Sequence, residues 1–153
     1  MPPIYKELEI MTYAQSKRLN RVAIGPGVFL TGHHIIPDHC FYIARGGRDV
    51  QTVTSMRIMG TASYSTDDAP VILLTSDSQG GKTLHHGDVH AIFDEQEAKR
   101  AERGNNTWKY SMVRDIAIDS IVSVFGGAPG ADFLKDRLDR YFKRKIGLAE
   151  NQI

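Results

Sequence analysis

The chain of 153 residues has one cysteine, so no intrachain disulfide can staple it. It has no apolar run approaching the roughly 18 residues that a membrane helix needs, and no membrane span is expected. Neither charge sign dominates: the formal net charge is +1, so attraction of a polyanion would need a local patch. The start, Met1-Pro2-Pro3-Ile4-Tyr5-Lys6-Glu7, lacks a basic region followed by an apolar stretch, and no secretion signal is expected. A cytoplasmic or virion- and assembly-associated location follows as the expectation. There is no internal repeat and no low-complexity segment. What remains, 41% hydrophobic and 24% charged, suits a single domain over 1–153 with its own core.

Residues 1–20 fit an N-terminal helix or an extended arm, because Ile4, Leu8 and Met11 follow helical spacing while Met11-Thr12-Tyr13 could start a strand. From Val22 to Phe125 the texture predicts a β-rich body. Gly25-Pro26-Gly27 and Arg45-Gly46-Gly47-Arg48 mark turns, so 40–59 reads as a hairpin, and Val71 to Thr75 is the most apolar strand. Thr83 to Phe93 reads as a further strand, and 94–106 as an exposed charged segment, a short helix or mobile loop, with no core face. In 107–125 the apolar residues Trp108, Tyr110, Met112, Ile116, Ile118, Val122 and Val124 all stand at even positions, a period of two that predicts strand. Arg114 and Ser120 interrupt that set. Over 132–146 the stripe Leu134, Leu138, Phe142 and Ile146 predicts an amphipathic C-terminal helix, with Asp132 as N-cap and Gly147 as stop. The expected class is therefore α+β and mostly antiparallel β: a meander sandwich or small barrel of about seven strands closed by one helix. In the order of its elements this layout is similar to a pleckstrin-homology-like barrel.

All six histidines fall in two windows, Gly32 to Cys40 and Leu84 to His90. Histidine is the usual metal ligand and proton shuttle near neutral pH. On a strand, His86, Asp88 and His90 would share one face and could act as metal ligands, joined by Asp38 and His39 if the windows meet. Neither window holds an HExxH or paired CxxC signature. Surface histidines are the plain alternative, and Cys40 reads as a small buried residue.

His33-His34-Ile35-Ile36-Pro37 resembles the opening of the HNH-type nuclease motif. That resemblance implies a histidine general base, for which His34 is the candidate, beside a divalent metal, Zn, Mn or Mg. Ser76 to Thr83, ending Gly81-Lys82-Thr83, is similar to the phosphate-binding P-loop, with Ser76 where the motif has glycine. A hairpin turn is the competing reading of those residues. Ile116-Ala117-Ile118-Asp119 could stand for the acidic strand that accompanies a P-loop.

Lys143, Arg144 and Lys145 close the last helix and form a candidate anion-binding end, for nucleic acid or another anionic ligand. No catalytic signature is complete. The expected function is therefore a non-enzymatic binding or assembly module without a cofactor, self-associating or partner-binding through β surfaces. The alternative is a metal-dependent hydrolase, acting on phosphodiesters through the two histidine windows.

Overall fold

The computed structural model describes residues 6–18, 23–37, 40, 44–45, 48–49, 65–78, 83–102, 109–127 and 129–148. Its elements run β1 (Ile10–Thr12), α1 (Tyr13–Lys17), β2 (Ala23–Gly25), β3 (Val28–His34), β4 (Ala44–Arg45), β5 (Arg48–Asp49), β6 (Pro70–Ser76), α2 (Leu84–Glu102), α3 (Tyr110–Phe125) and α4 (Ala131–Asp139). A π-helical turn, Arg140–Ile146, continues α4. Four strands form one antiparallel sheet in the order β1-β6-β3-β2, while β4 and β5 make a separate two-residue ladder. Within the segment expected to form a hairpin over 40–59, only Cys40 and that ladder belong to the described residues. No described helix is long and apolar enough to cross a membrane.

The fold is thus α+β, a four-stranded half-barrel sheet with four helices, and not the expected seven-strand sandwich or barrel. Two segments read as strands are helices. In α3 the even-numbered apolar residues are real, but Val113, Ala117 and Ile121 at odd positions are also buried, so the pattern fits a period near 3.6 as well as 2. Sixteen residues without glycine, proline or asparagine favour helix, which stops where Gly126 takes a left-handed φ of 64° and Gly127 N–H bonds the Val122 carbonyl. In α2 the inward stripe is His86, Val89, Phe93 and Glu97, at helical spacing. Two of these four are polar, which hid the stripe; the segment from Asp94 is this helix continuing, with Glu97 buried.

β6 carries the core. Val71, Ile72, Leu73 and Leu74 are all 0% exposed, because the strand is covered on both faces. Ile72 and Leu74 join the main core with Val89, Phe93, Val113, Ile121 and Leu138, whereas Leu73 meets Leu30 and Met11 in a smaller cluster on the opposite side. On that opposite side α1 packs close to β3. A Cβ on Gly32 would lie 2.7 Å from the Ser16 Cβ and 3.1 Å from Val71 Cγ2, so only glycine allows this approach. The N-terminal residues, left open between helix and arm, are both: β1 pairs β6 at the sheet edge, and a Thr12–Gln15 capping box starts the single turn of α1.

Asp139 ties α3 to α4. It accepts from Tyr110 Oη at 2.8 Å and from Arg114 Nη1 at 3.1 Å, and Arg114 is 3% exposed. Arg114, an interruption if 107–125 is a strand, is thus a buried anchor on a helix.

Two outcomes check this architecture. Gly32→Ala should lower stability by about 1–3 kcal/mol through overpacking, and thermal unfolding should show a smaller loss in a Ser16→Gly background. Asp139→Ala should cost about 1–3 kcal/mol because it removes one of the two carboxylates, Asp139 and Asp115, that face a buried guanidinium. Urea titration should show most of that recovered when Arg114→Met is added.

Candidate metal centre

Pairing of β3 with β6 sorts the first histidine window. His33 stands opposite Ile72 and Thr31 opposite Leu74, so Thr31 and His33 share the face that carries the main core and meets α2. Gly32 and His34 fall on the other face, beside α1. His34 lies 4.4 Å, ring to ring, from Tyr13, and its Nε2 is 3.2 Å from the Thr66 carbonyl oxygen. The candidate base His34 is therefore turned away from the second window.

The second window lies on the first turns of α2. There His86 and His90 are one helical turn apart and project together, whereas Asp88, two positions on, is exposed on another face. The expected set His86-Asp88-His90 presumed a strand; the helix keeps its histidines and discards its aspartate. Asp38 and His39 lie outside the described residues.

What the fold brings together is His33, His86 and His90. The ring centroids are 5.1 Å apart for His33 and His86, 4.7 Å for His33 and His90, and 5.1 Å for His86 and His90. His33 and His86 are buried and His90 half-buried, and one ring nitrogen of each lies within 4.8 Å of the other two. A central ion would sit about 2.8 Å from such atoms, so side-chain shifts of roughly 0.7 Å reach the 2.0–2.1 Å of a zinc–imidazole bond.

Thr31 orients this cluster. Its hydroxyl donates to the Leu74 carbonyl at 3.1 Å, and its oxygen lies 2.5 Å from His86 Nδ1. With the hydroxyl proton on the Leu74 carbonyl, which can only accept, His86 Nδ1 donates to Thr31. In that arrangement His86 carries its proton on Nδ1 and would present Nε2 as its ligand atom, with Thr31 as the outer support usual for ligating histidines.

Neighbouring groups are committed elsewhere. His85 Nδ1 lies 2.9 Å from both Glu7 carboxylate oxygens, and its ring meets Phe125 edge-on. Glu7 also accepts from the Thr75 N–H at 2.7 Å.

Of the P-loop likeness, Gln79 to Lys82 lie outside the described residues; β6 precedes them and α2 follows. The chemistry differs. β6 is antiparallel to both neighbours, and the Thr83 hydroxyl donates to the Asp77 carboxylate at 2.6 Å, placing an anion beside the start of α2. The partner motif, Ile116 to Asp119, lies within α3.

The basic end is divided. Lys143 faces Asp139 at 3.6 Å, Lys145 faces Asp68 at 3.7 Å, and Arg144 is exposed.

Sequence reasoning gave no role to His33 and overlooked Thr31. The signal for the first is that adjacent histidines on a strand oppose one another, so only one of His33 and His34 can face a given partner. No family model matches this chain, and neither does any curated protein or solved structure.

Thr31→Val should leave the fold intact and weaken Zn2+ binding about 10- to 100-fold, the usual effect of losing such a support. Calorimetric titration against the wild-type chain reads this directly.

Proposed function

We propose that this protein is a zinc-class metalloprotein, its ion held by His33, His86 and His90, with a coordination position left for water or substrate. The convergence of three imidazoles between β3 and α2 carries this reading. An all-nitrogen donor set favours Zn2+ over Mg2+ or Mn2+, which prefer oxygen. Structural zinc sites are mostly cysteine-rich and closed, whereas three histidines with a fourth open position are the pattern of hydrolytic and hydration centres. When bound there, the ion would activate water and polarise a carbonyl or phosphoryl oxygen. The protein's part is to hold the imidazoles, fix the tautomer of His86 and surround the ion with the apolar wall of the core.

This reading keeps the metal-dependent hydrolase but changes its residues. His33 replaces Asp88 among the ligands, and His34 is not its base. The binding or assembly module rested on an exposed sheet edge. Among the described residues the edges of the four-stranded sheet, β1 and β2, are three residues each, which gives an added strand little to pair with.

Untagged protein should carry close to one Zn2+ per chain by elemental analysis, and replacing zinc with Co2+ should give the visible bands of a tetrahedral site. His86→Ala and His33→Ala should each lose the ion and any hydrolysis of an activated phosphodiester or ester, while His34→Ala keeps the ion. A metal-free protein that takes up no Zn2+ on dialysis contradicts the proposal. Full metal without turnover contradicts only its hydrolytic half.

A further inference from the structure

A second site lies apart from the histidines, where the first and last described elements meet. A cleft of about 540 Å³ opens between β1–α1 and the last helix, with Arg137, Arg140, Tyr141 and Lys145 on one wall and Asp68 and Gln15 opposite. We propose that this cleft binds a small phosphorylated molecule, with Arg137, Arg140 and Lys145 holding the phosphate. Three cations and one carboxylate, Asp68, line the cleft, with Asp136 pairing Arg140 from outside it, and the volume suits a small ligand.

The π-helical turn builds this cluster. In an α-helix, residues five apart diverge by roughly 140°. The i→i+5 repeat of a π-helix brings them nearly into line, and Arg140 and Lys145 are five apart within that turn. Arg137, one turn earlier on α4, completes the row.

The charges on this wall are available. Asp139, the carboxylate that could have neutralised them, is engaged by Tyr110 and Arg114. Arg140 pairs with Asp136 at 3.0 Å and Lys145 with Asp68 at 3.7 Å, but all four side chains are more than half exposed. Such pairs contribute about 0–1 kcal/mol and yield to a stronger anion. Arg137 makes no ion pair among the described residues, and its planar fork matches two phosphate oxygens. Across the cleft, Gln15 Oε1 accepts from the Thr12 N–H at 3.0 Å, so the amide nitrogen of Gln15 remains a donor. Ile10, Met11 and Pro70 add apolar surface for the body of the ligand.

The test is titration of the full chain with phenyl phosphate and with inorganic phosphate, followed by calorimetry and by amide chemical shifts. Phenyl phosphate should saturate with a Kd of about 1 mM or tighter, inorganic phosphate should bind more weakly, and the shifts should map to residues 10–15 and 137–145. Arg137→Glu and Lys145→Glu should each weaken binding at least tenfold with unchanged circular dichroism. Arg137→Lys, which keeps the charge and loses the fork, should fall between. Lys99→Glu, on α2, should change nothing. No saturation, or equal loss with Lys99→Glu, overturns the proposal. So does retention of single-stranded oligonucleotide without phenyl phosphate binding, which would make the wall a polynucleotide contact.

Discussion

The alternation of β3 against β6 is the constraint on which the rest of the molecule depends. Each residue of β3 is assigned to a face by its partner: Leu30, Gly32 and His34 toward α1, Thr31 and His33 toward α2. A register slip of one residue would exchange the two histidines, expel Thr31 from its bond to His86 and drive Leu30 into the helical side. The register is held from both directions. Buried Ile72 and Leu74 fit only against the helices, and the missing Cβ of Gly32 fits only against Ser16. The histidine cluster is thus a consequence of how the sheet is covered, not an ornament on its surface.

The second half of the cluster depends on α2, a helix of low amphipathicity. Only Val89 and Phe93 give it apolar side chains fully buried in the main core; His86 and Glu97 complete the stripe with polar groups. Burying an imidazole is favourable only when its nitrogens are satisfied. Thr31 satisfies one of them. A metal ion held by His33, His86 and His90 would join α2 to the sheet by bonds that the sparse apolar stripe does not supply. Metal affinity and the docking of α2 are then parts of one equilibrium.

Parts of this were legible in the residues alone. Val71 to Thr75 has no polar alternation and is the strand covered on both faces. Leu134, Leu138 and Phe142 form the buried stripe of the last helix, and Gly147 ends it in a left-handed conformation. Their strict spacing of four, continued to Ile146, also exceeds the 3.6 of an α-helix, and a wider π turn absorbs the excess. The histidine windows marked residues that converge, His33 from one and His86 and His90 from the other. The helical nature of α2 and α3 was not legible. Tyr110 to Phe125 is apolar at both odd and even positions, and the period of two was the easier to see. In Leu84 to His90 the same residues satisfy i, i+2 on a strand and i, i+4 on a helix. Only the tertiary setting decides, and with it whether Asp88 or His33 completes the site.

The most direct measurement is zinc K-edge X-ray absorption on the untagged, zinc-loaded chain. Three imidazole nitrogens at about 2.0–2.1 Å with one oxygen donor are expected, and His33→Ala should retain no protein-bound zinc edge. A shell containing sulfur from Cys40, or one dominated by carboxylate oxygen and indifferent to His33, would contradict the three-histidine site.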